Sequence, residues 1–149
     1  MIQIINQQVE KEIFDYLESF KDNFIEQCFT FKMINGWCGD QLYQVEVNGY
    51  YKEDIKSEKQ TDFILLRLFI NYQYKQVQIT NIFLPDFMRY KGIGKKLICK
   101  IFQVSEKEHY GLFVVDMVDS FYQRLINRGA LPCDNHDDAV QIISETNLF

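Results

Sequence analysis

Apolar residues follow a helical period through the first part of the chain. Between about Val9 and Met33 they recur at steps of three and four residues, at Ile13, Leu17, Phe20, Phe24, Ile25 and Cys28. This spacing predicts one amphipathic helix, or two helices with a break between them. The segment IQII before it is a candidate short strand, and NGWCGD after it predicts a break, because it combines two glycines with an asparagine.

The middle of the chain carries strand patterns. LYQVEVNGYY alternates and ends near Asn-Gly, and the charged segment YKEDIKSEKQTD that follows predicts a solvated loop. FILLRLFINY and VQITNIFL are β-rich apolar runs separated by QYKQ, which predicts an antiparallel hairpin.

The helical period returns after Gly94. LFVVDM then predicts a strand buried on both faces, DSFYQRLINRG a helix closed by Gly129, and AVQIIS a final strand. The order is helix, three strands, helix, strand, helix, strand. It predicts a mixed α+β fold with a central sheet, in a single domain over residues 1–149.

Composition restricts the possible partners. The chain is 47% hydrophobic and 25% charged, as in ordinary soluble globular proteins, and its net charge of −5 argues against nucleic acid. A cationic substrate such as an amine would suit that charge. No uncharged apolar run approaches the roughly 18 residues of a membrane span, and the N-terminus lacks a signal-peptide pattern. We therefore expect a cytoplasmic protein with no membrane partner.

The cysteines do not predict a metal site. Cys28, Cys38, Cys99 and Cys133 lie far apart, without a Cys-x-x-Cys pair. This spacing argues against zinc and favours reduced, mostly buried thiols.

The segment RYKGIGKK has the composition of an anion-binding loop. Gly92 and Gly94 let successive N–H groups converge at the start of a helix, where the dipole is positive, and four basic residues fall within eight positions: Arg89, Lys91, Lys95 and Lys96. The alternative is a glycine turn with solvated lysines. The Walker and dinucleotide patterns do not fit, because each needs a further glycine that this segment lacks.

The order of residues around the loop resembles a known family. Arg89-x-x-Gly92-x-Gly94 is similar to the Gln/Arg-x-x-Gly-x-Gly/Ala signature of the GNAT superfamily of N-acetyltransferases. The surrounding frame, roughly Val77 to Ala130, agrees: an apolar strand before the loop, a helix after it, then a buried strand and a helix with Phe121-Tyr122. The resemblance implies a GNAT-like fold, in which a mostly antiparallel, twisted sheet is flanked by helices.

The resemblance also implies an activity and a cofactor site. The family moves an acetyl group from acetyl-coenzyme A to a primary amine by direct attack on the thioester, without a metal. The loop would hold the coenzyme A pyrophosphate mainly through its backbone, at Arg89, Tyr90, Lys91, Gly92, Ile93, Gly94 and Lys95. The strand before it would pair with the pantetheine arm and supply the amide that polarises the thioester carbonyl, at Ile82, Phe83 and Leu84.

The resemblance also implies catalytic residues, and each of them has a competing interpretation. Tyr122 matches the tyrosine that protonates the leaving thiolate, although it is also suited to pack in the core against Ile126. Asp116 is a candidate general base, with the N-cap of the following helix, paired with Asp119, as the competing interpretation. Glu46 is a further candidate base, or a residue on a solvated strand face. A water relay would need no dedicated residue.

The sequence departs from the family near the last helix. The family's asparagine at the helix start is absent, the interval from Tyr122 to Gly129 is longer than usual, and Ala130 replaces an aromatic residue. Two other functions therefore stay open: a non-catalytic acyl-coenzyme A sensor or regulatory domain, and an unrelated α+β interaction protein. The acceptor, a small molecule or a protein amine, is also open, and a homodimer is one possible assembly.

Overall fold

The computed structural model describes residues 4–134 and 136–148, apart from the side chain of Asp137. Within these residues, three α-helices and seven strands are joined by two 3₁₀ helices. In chain order they are α1 Ile4–Phe20, a 3₁₀ helix Lys21–Gln27, β1 Thr30–Trp37, β2 Leu42–Tyr51, β3 Thr61–Asn71, β4 Gln76–Ile82, a 3₁₀ helix Asp86–Met88, α2 Ile93–Lys107, β5 Gly111–Val114, α3 Asp119–Asn127, β6 Leu131–Cys133 and β7 His136–Ile142.

The strands form one sheet in the order β1-β2-β3-β4-β5-β7-β6. Every neighbouring pair of strands is antiparallel except β4 and β5, which are parallel. The crossover connection between these two strands contains α2. The predicted fold class, a mixed α+β fold with a mostly antiparallel central sheet flanked by helices, is confirmed. No helix in the described ranges is long and apolar enough to cross a membrane.

The core lies between one face of the sheet and two helices. Each helix buries side chains spaced three or four residues apart: Ile5, Val9, Ile13 and Leu17 in α1, and Leu97, Ile98, Ile101 and Val104 in α2. These pack against each other and against the buried strand residues Tyr43, Val45, Val47, Leu66, Leu68, Ile70, Val77, Ile79, Leu112, Val114, Val140 and Ile142. We call the face formed by those strand residues the core face.

The opposite face is less covered. Because side chains alternate across a strand, it carries the half-buried residues that lie between the core positions, and we call it the open face: Gln44, Glu46, Arg67, Phe69, Gln78, Phe113 and Gln141. α3 packs against β7, where Ala139, alternating with the core residue Val140, is also buried. α3 thus covers the open face at the β7 end.

Two predictions about elements were wrong. Ile4 and Ile5 of IQII lie in α1, and the rest of that segment falls outside the described residues. The first helical region ends earlier than Met33, because Cys28 adopts a left-handed conformation with φ 51° and Thr30–Trp37 then pairs with β2. Asn35 and Gly36 are therefore extended, and the turn falls after Trp37. The three-residue strand β6 has too little pattern to be predicted.

Candidate functional site

β4 separates from β5 before β4 ends. The parallel ladder runs from Gln76 to Ile79, and the N–H of Val115 donates to the Ile79 carbonyl at 2.9 Å. The chain after β5 then turns toward β7: Asp116 has a left-handed φ of 56°, and the N–H of Met117 donates to the Asp138 carbonyl at 3.1 Å. Beyond Ile79, no described strand pairs with this edge of β4.

A β-bulge lies where the two strands separate. Ile79 pairs with Leu68 of β3 and Asn81 pairs with Arg67, so Thr80 is an extra residue in β4. The hydroxyl of Thr80 donates to the Arg67 carbonyl at 3.3 Å. A bulge bends its strand and increases the local twist, which accounts for β4 leaving β5 at this point.

A second bulge in β3 interlocks with the first. Leu65 is an extra residue between the pairs that Ile64 and Leu66 make with β2. Its carbonyl accepts the N–H of Phe83 at 3.0 Å, and the Ile64 carbonyl accepts the side-chain amide of Asn81 at 2.8 Å. The end of β4 is therefore fixed to β3 by a main-chain and a side-chain hydrogen bond.

This anchoring determines where the backbone of Ile82 is directed. Neighbouring residues of a strand direct their N–H groups to opposite edges. Because the N–H of Phe83 is used by β3, those of Ile82 and Leu84 are directed to the other edge, into the gap between β4 and β5. The gap thus has a backbone donor at Ile82, the first of the three strand residues predicted to contact coenzyme A.

The glycine loop ends in the first turn of α2. Tyr90 and Gly92 have positive φ values of 62° and 76°, and Gly92 is the N-cap residue. The first intrahelical bond joins the N–H of Lys96 to the Gly92 carbonyl at 3.0 Å. The N–H groups of Ile93 and Gly94 precede it, so they have no acceptor within the helix and carry the positive end of its dipole.

The start of α2 lies against the end of β4. A Cβ atom built on Gly94 would be 3.8 Å from Cδ1 of Leu84 and 3.9 Å from Cγ2 of Ile82. The loop and the gap are therefore adjacent, and the structure brings the predicted strand residues and the predicted loop residues together.

Arg89 folds back onto the loop. Its Nε donates to the Leu84 carbonyl at 2.8 Å, one terminal nitrogen lies 3.1 Å from the Asp86 carboxylate, and the guanidinium lies 5.6 Å from the centre of the Phe83 ring. Arg89 thus stabilises the loop through its side chain. Outward charge at the loop comes from lysines, and Lys91 and Lys96 are exposed.

Aromatic rings hold the other side of the loop. Phe87 contacts Phe24, Phe29 and Tyr51, with ring centres 5.3, 6.5 and 5.0 Å away. A cavity of about 200 Å³ lies beside it, lined by Gln27, Tyr51, Lys52, Glu53, Pro85, Asp86 and Phe87. These contacts tie the loop to the first 3₁₀ helix and to the end of β2.

The predicted catalytic side chains lie after β5. Tyr122 is half-buried on α3 and packs against the edge of the core, as Ile126 does. Asp116 is exposed, at the point where the chain leaves β5. The N-cap interpretation of Asp116 is wrong: Val118 is the N-cap residue of α3 and Asp119 is the first helical residue. The proton-transfer roles of Tyr122 and Asp116 stay predictions.

Glu46 is not a solvated residue. Its side chain is 14% exposed, and its carboxylate accepts Nε of Arg67 at 2.8 Å and the amide of Gln44 at 3.4 Å. The part of the chain that the structure describes contains no group of three or more His, Cys, Asp or Glu residues that could hold a metal ion.

Sequence reasoning missed Thr80 and Asn81, which shape the gap. Neither residue type signals a bulge in an apolar strand, and the bulge depends on the register with β3. It also missed the packing role of Arg89, since a basic residue next to a glycine loop has the same signature whether it binds a ligand or the loop itself.

Comparisons with known proteins give a distant structural similarity. No protein-family model matches the chain, and no curated protein is similar to it. Among solved structures, the chain is similar to a crystal structure described as "putative acetyltransferase from Agrobacterium tumefaciens", with 16% identity over 89% of this chain and 87% of that one. The TM-score is 0.37.

Proposed function

We propose that the chain is an acetyl-coenzyme A-dependent N-acetyltransferase that acts on a primary amine. The observation that carries the proposal is the separation of β4 from β5 beside the N-terminus of α2. A strand edge released from its partner offers backbone donors and acceptors to an extended ligand, and a helix N-terminus offers N–H groups to an anion. Coenzyme A has both parts, an amide-containing arm and a pyrophosphate.

The residues present fit this ligand. The arm would lie along Ile82, Phe83 and Leu84, and the pyrophosphate would meet the backbone from Arg89 to Lys95, with Gly94 leaving room for close approach. Exposed Lys91 and Lys96 add positive charge beside this backbone in a chain whose net charge is −5. The concentration of basic residues favours a phosphate-bearing ligand over a plain turn.

Acetyl-coenzyme A supplies an activated acetyl group, and the chain supplies donors and proton carriers. The Ile82 N–H, directed into the gap, would stabilise negative charge on the thioester oxygen during attack by the neutral amine. Tyr122 would give a proton to the departing sulfur. Asp116, exposed beside the gap, would accept the proton from the amine.

Two measurements test the proposal. Calorimetry measures binding of coenzyme A and acetyl-coenzyme A, and release of free thiol measures turnover on a panel of primary amines. We expect binding to both and amine-dependent thiol release. Tight binding without turnover on any amine would identify an acyl-coenzyme A sensor, and no binding at all would leave an α+β interaction protein whose loop holds no ligand.

Charge-reversal variants locate the binding site. Lys91→Glu with Lys96→Glu should lower coenzyme A affinity by about tenfold or more, because both positions border the proposed pyrophosphate. Lys56→Glu with Lys59→Glu makes the same change in net charge on the exposed loop after β2 and should have little effect. Equal losses in both double variants would indicate attraction by overall charge and would contradict a site at the loop.

A further inference from the structure

The open face of the sheet contains a half-buried ion pair close to the gap. Along one row across four strands, Ile34 of β1 faces Glu46 of β2, Glu46 faces Arg67 of β3, and Arg67 faces Asn81 of β4. Arg67 projects to the open face, because its neighbours Leu66 and Leu68 are fully buried on the core face. Its side chain is 37% exposed and that of Glu46 is 14% exposed.

Only one face of the sheet leaves a route to the gap for a second substrate. α1 and α2 pack on the core face, and the proposed pyrophosphate seat is at the start of α2. α3 covers the open face at β7 and leaves the β2, β3 and β4 residues half-exposed. If the chain is an acyltransferase, as proposed above, its acceptor crosses the open face and meets Arg67 before it reaches Ile82.

The guanidinium of Arg67 has donors to spare. Arginine carries five N–H donors in a planar fork, and one carboxylate engages at most two of them in a bidentate pair. Within the described ranges, Glu46 is the only residue that forms an ion pair or side-chain hydrogen bond with this guanidinium. At least three N–H donors of this 37% exposed side chain are therefore not engaged by Glu46, and Glu46 holds the group in one orientation.

The positions of Arg67 and Glu46 along the row give the two residues different roles. Neighbouring strands lie about 4.8 Å apart, so Arg67 is about one strand spacing from Asn81, the residue before Ile82, and Glu46 is about two spacings, or ~10 Å, from β4. Glu46 is thus too far along the row to remove a proton from an amine in the gap. It is a positioning residue for Arg67.

We propose that Arg67 binds a carboxylate on the acceptor, so that the acceptor is an amino acid or a related amino carboxylate. A carboxylate matches the planar fork of arginine. With the carboxylate held at β3, the amine of an amino carboxylate is directed across β4 toward the gap.

Matched substrate pairs test the proposal. Amino acids are compared with their carboxamides, which have the same size and lack the negative charge. We expect kcat/KM to favour the carboxylate by about 10- to 100-fold, the range typical of hydrogen bonds to a charged group. The carboxamides carry the less basic amine and have more of it unprotonated at neutral pH, so amine chemistry alone would give the opposite order. Equal or reversed preference would overturn the proposal.

Variants test whether the preference for a carboxylate comes from Arg67 and Glu46. Arg67→Gln should abolish it mainly by raising KM for the carboxylate, Arg67→Lys should retain part of it, and Glu46→Gln should weaken it by releasing the guanidinium. Lys32→Gln is the matched control, because Lys32 is an exposed cation on the open side of β1, between Phe31 and Met33, which pack on the core. Arg67→Gln with an intact preference, or an equal loss in Lys32→Gln, would contradict the assignment.

A binding measurement keeps this test separate from that of the acetyltransferase activity. The chain has four arginines, and the Nε–H resonance of Arg67 is identified by its loss in Arg67→Gln. We expect this resonance to shift on titration with amino acids and not with their carboxamides. A shift without acetyl transfer to any amine would refute the acetyltransferase and retain the carboxylate site. Acetyl transfer without a carboxylate-dependent shift would refute the carboxylate site and retain the acetyltransferase.

Discussion

Replacing Gly94 with alanine should separate stability from coenzyme A binding. Gly94 is the second residue of α2 and does not have a positive φ, so alanine fits its backbone. The added Cβ would meet Leu84 and Ile82 at 3.8 and 3.9 Å, which are ordinary van der Waals distances. The methyl group is therefore accommodated by the protein and occupies the space between the start of α2 and the end of β4.

The expected sizes follow from this geometry. Glycine costs up to about 1 kcal/mol relative to alanine inside a helix, so the free energy of unfolding should be unchanged or raised by up to that amount in Gly94→Ala. For a chain of this length, 1 kcal/mol corresponds to roughly 2–4 °C in Tm. The methyl group would overpack the proposed ligand seat, which typically costs about 1–3 kcal/mol, so coenzyme A affinity should fall about 5- to 150-fold.

Gly92→Ala is the matched control. A Cβ on Gly92 would have no atom within 4 Å, but the φ of 76° is left-handed, where a residue with a Cβ costs about 1–2 kcal/mol. This variant should therefore lose stability without adding a contact. Thermal unfolding and calorimetric titration with coenzyme A, made on both variants, measure the two effects separately.

Two results would contradict these expectations for Gly94→Ala. Gly94→Ala with the affinity of the unmodified protein would show that close approach at this residue is not required by the ligand. Gly94→Ala with Tm lowered by several degrees would show that the glycine is needed for packing of α2 on β4, and a loss of affinity would then have a trivial cause.

Three further predictions concern ionisable groups. Tyr122→Phe should lower kcat by about tenfold or more with little change in coenzyme A affinity, as expected for a lost general acid; unchanged kcat would exclude that role. Asp116→Asn should keep the thermal stability, since asparagine also tolerates a φ of 56°, and should lower kcat at neutral pH; an unchanged rate would favour a water relay. Burial, followed by the hydrogen bond to Glu10, raises the pKa of Tyr43 from 10 to about 12. Because the folded state keeps this proton while the unfolded state loses it, the stability of the protein should fall from about pH 10 to 12, and Tyr43→Phe should reduce that fall in urea unfolding at stepped pH.

The glycine loop could be predicted from sequence because its causes are local. Gly92 has the positive φ that the strand-to-helix turn requires, and Gly129, with φ 96°, closes α3 as predicted. The buried faces of α1 and α2 could be predicted because their cause is also local: a helix presents every third or fourth residue to one side, and apolar residues recur at those steps. Such features need no knowledge of distant residues.

The segment after the first helix could not be predicted in this way. Helical steps run from Ile13 as far as Cys28, but Phe29, Phe31 and Met33 then follow the two-residue period of a strand, and the chain reverses at the left-handed Cys28 before Thr30 begins β1. The position of the helix end depends on pairing of Thr30–Trp37 with β2 and on the ring contacts of Phe29 with Phe24 and Phe87. The end of the helical region is therefore set by contacts with the rest of the fold, and the strand that follows agrees with its own alternating pattern.

The bulge at Thr80 depends on pairing with β3, and it sets the direction of the Ile82 N–H, the donor that the proposed reaction needs. In a regular strand, residues four apart direct their backbone groups to the same edge. The carbonyl of Ile79 is directed at the β5 edge, where it accepts the N–H of Val115, whereas the N–H of Phe83 is directed at β3. One extra residue between Ile79 and Phe83 accounts for this change of edge. Without the extra residue, the N–H of Ile82 would be directed at β3 and the gap would lack its donor. The glycine loop can seat a pyrophosphate by itself, but the placement of a thioester opposite a backbone donor depends on this register.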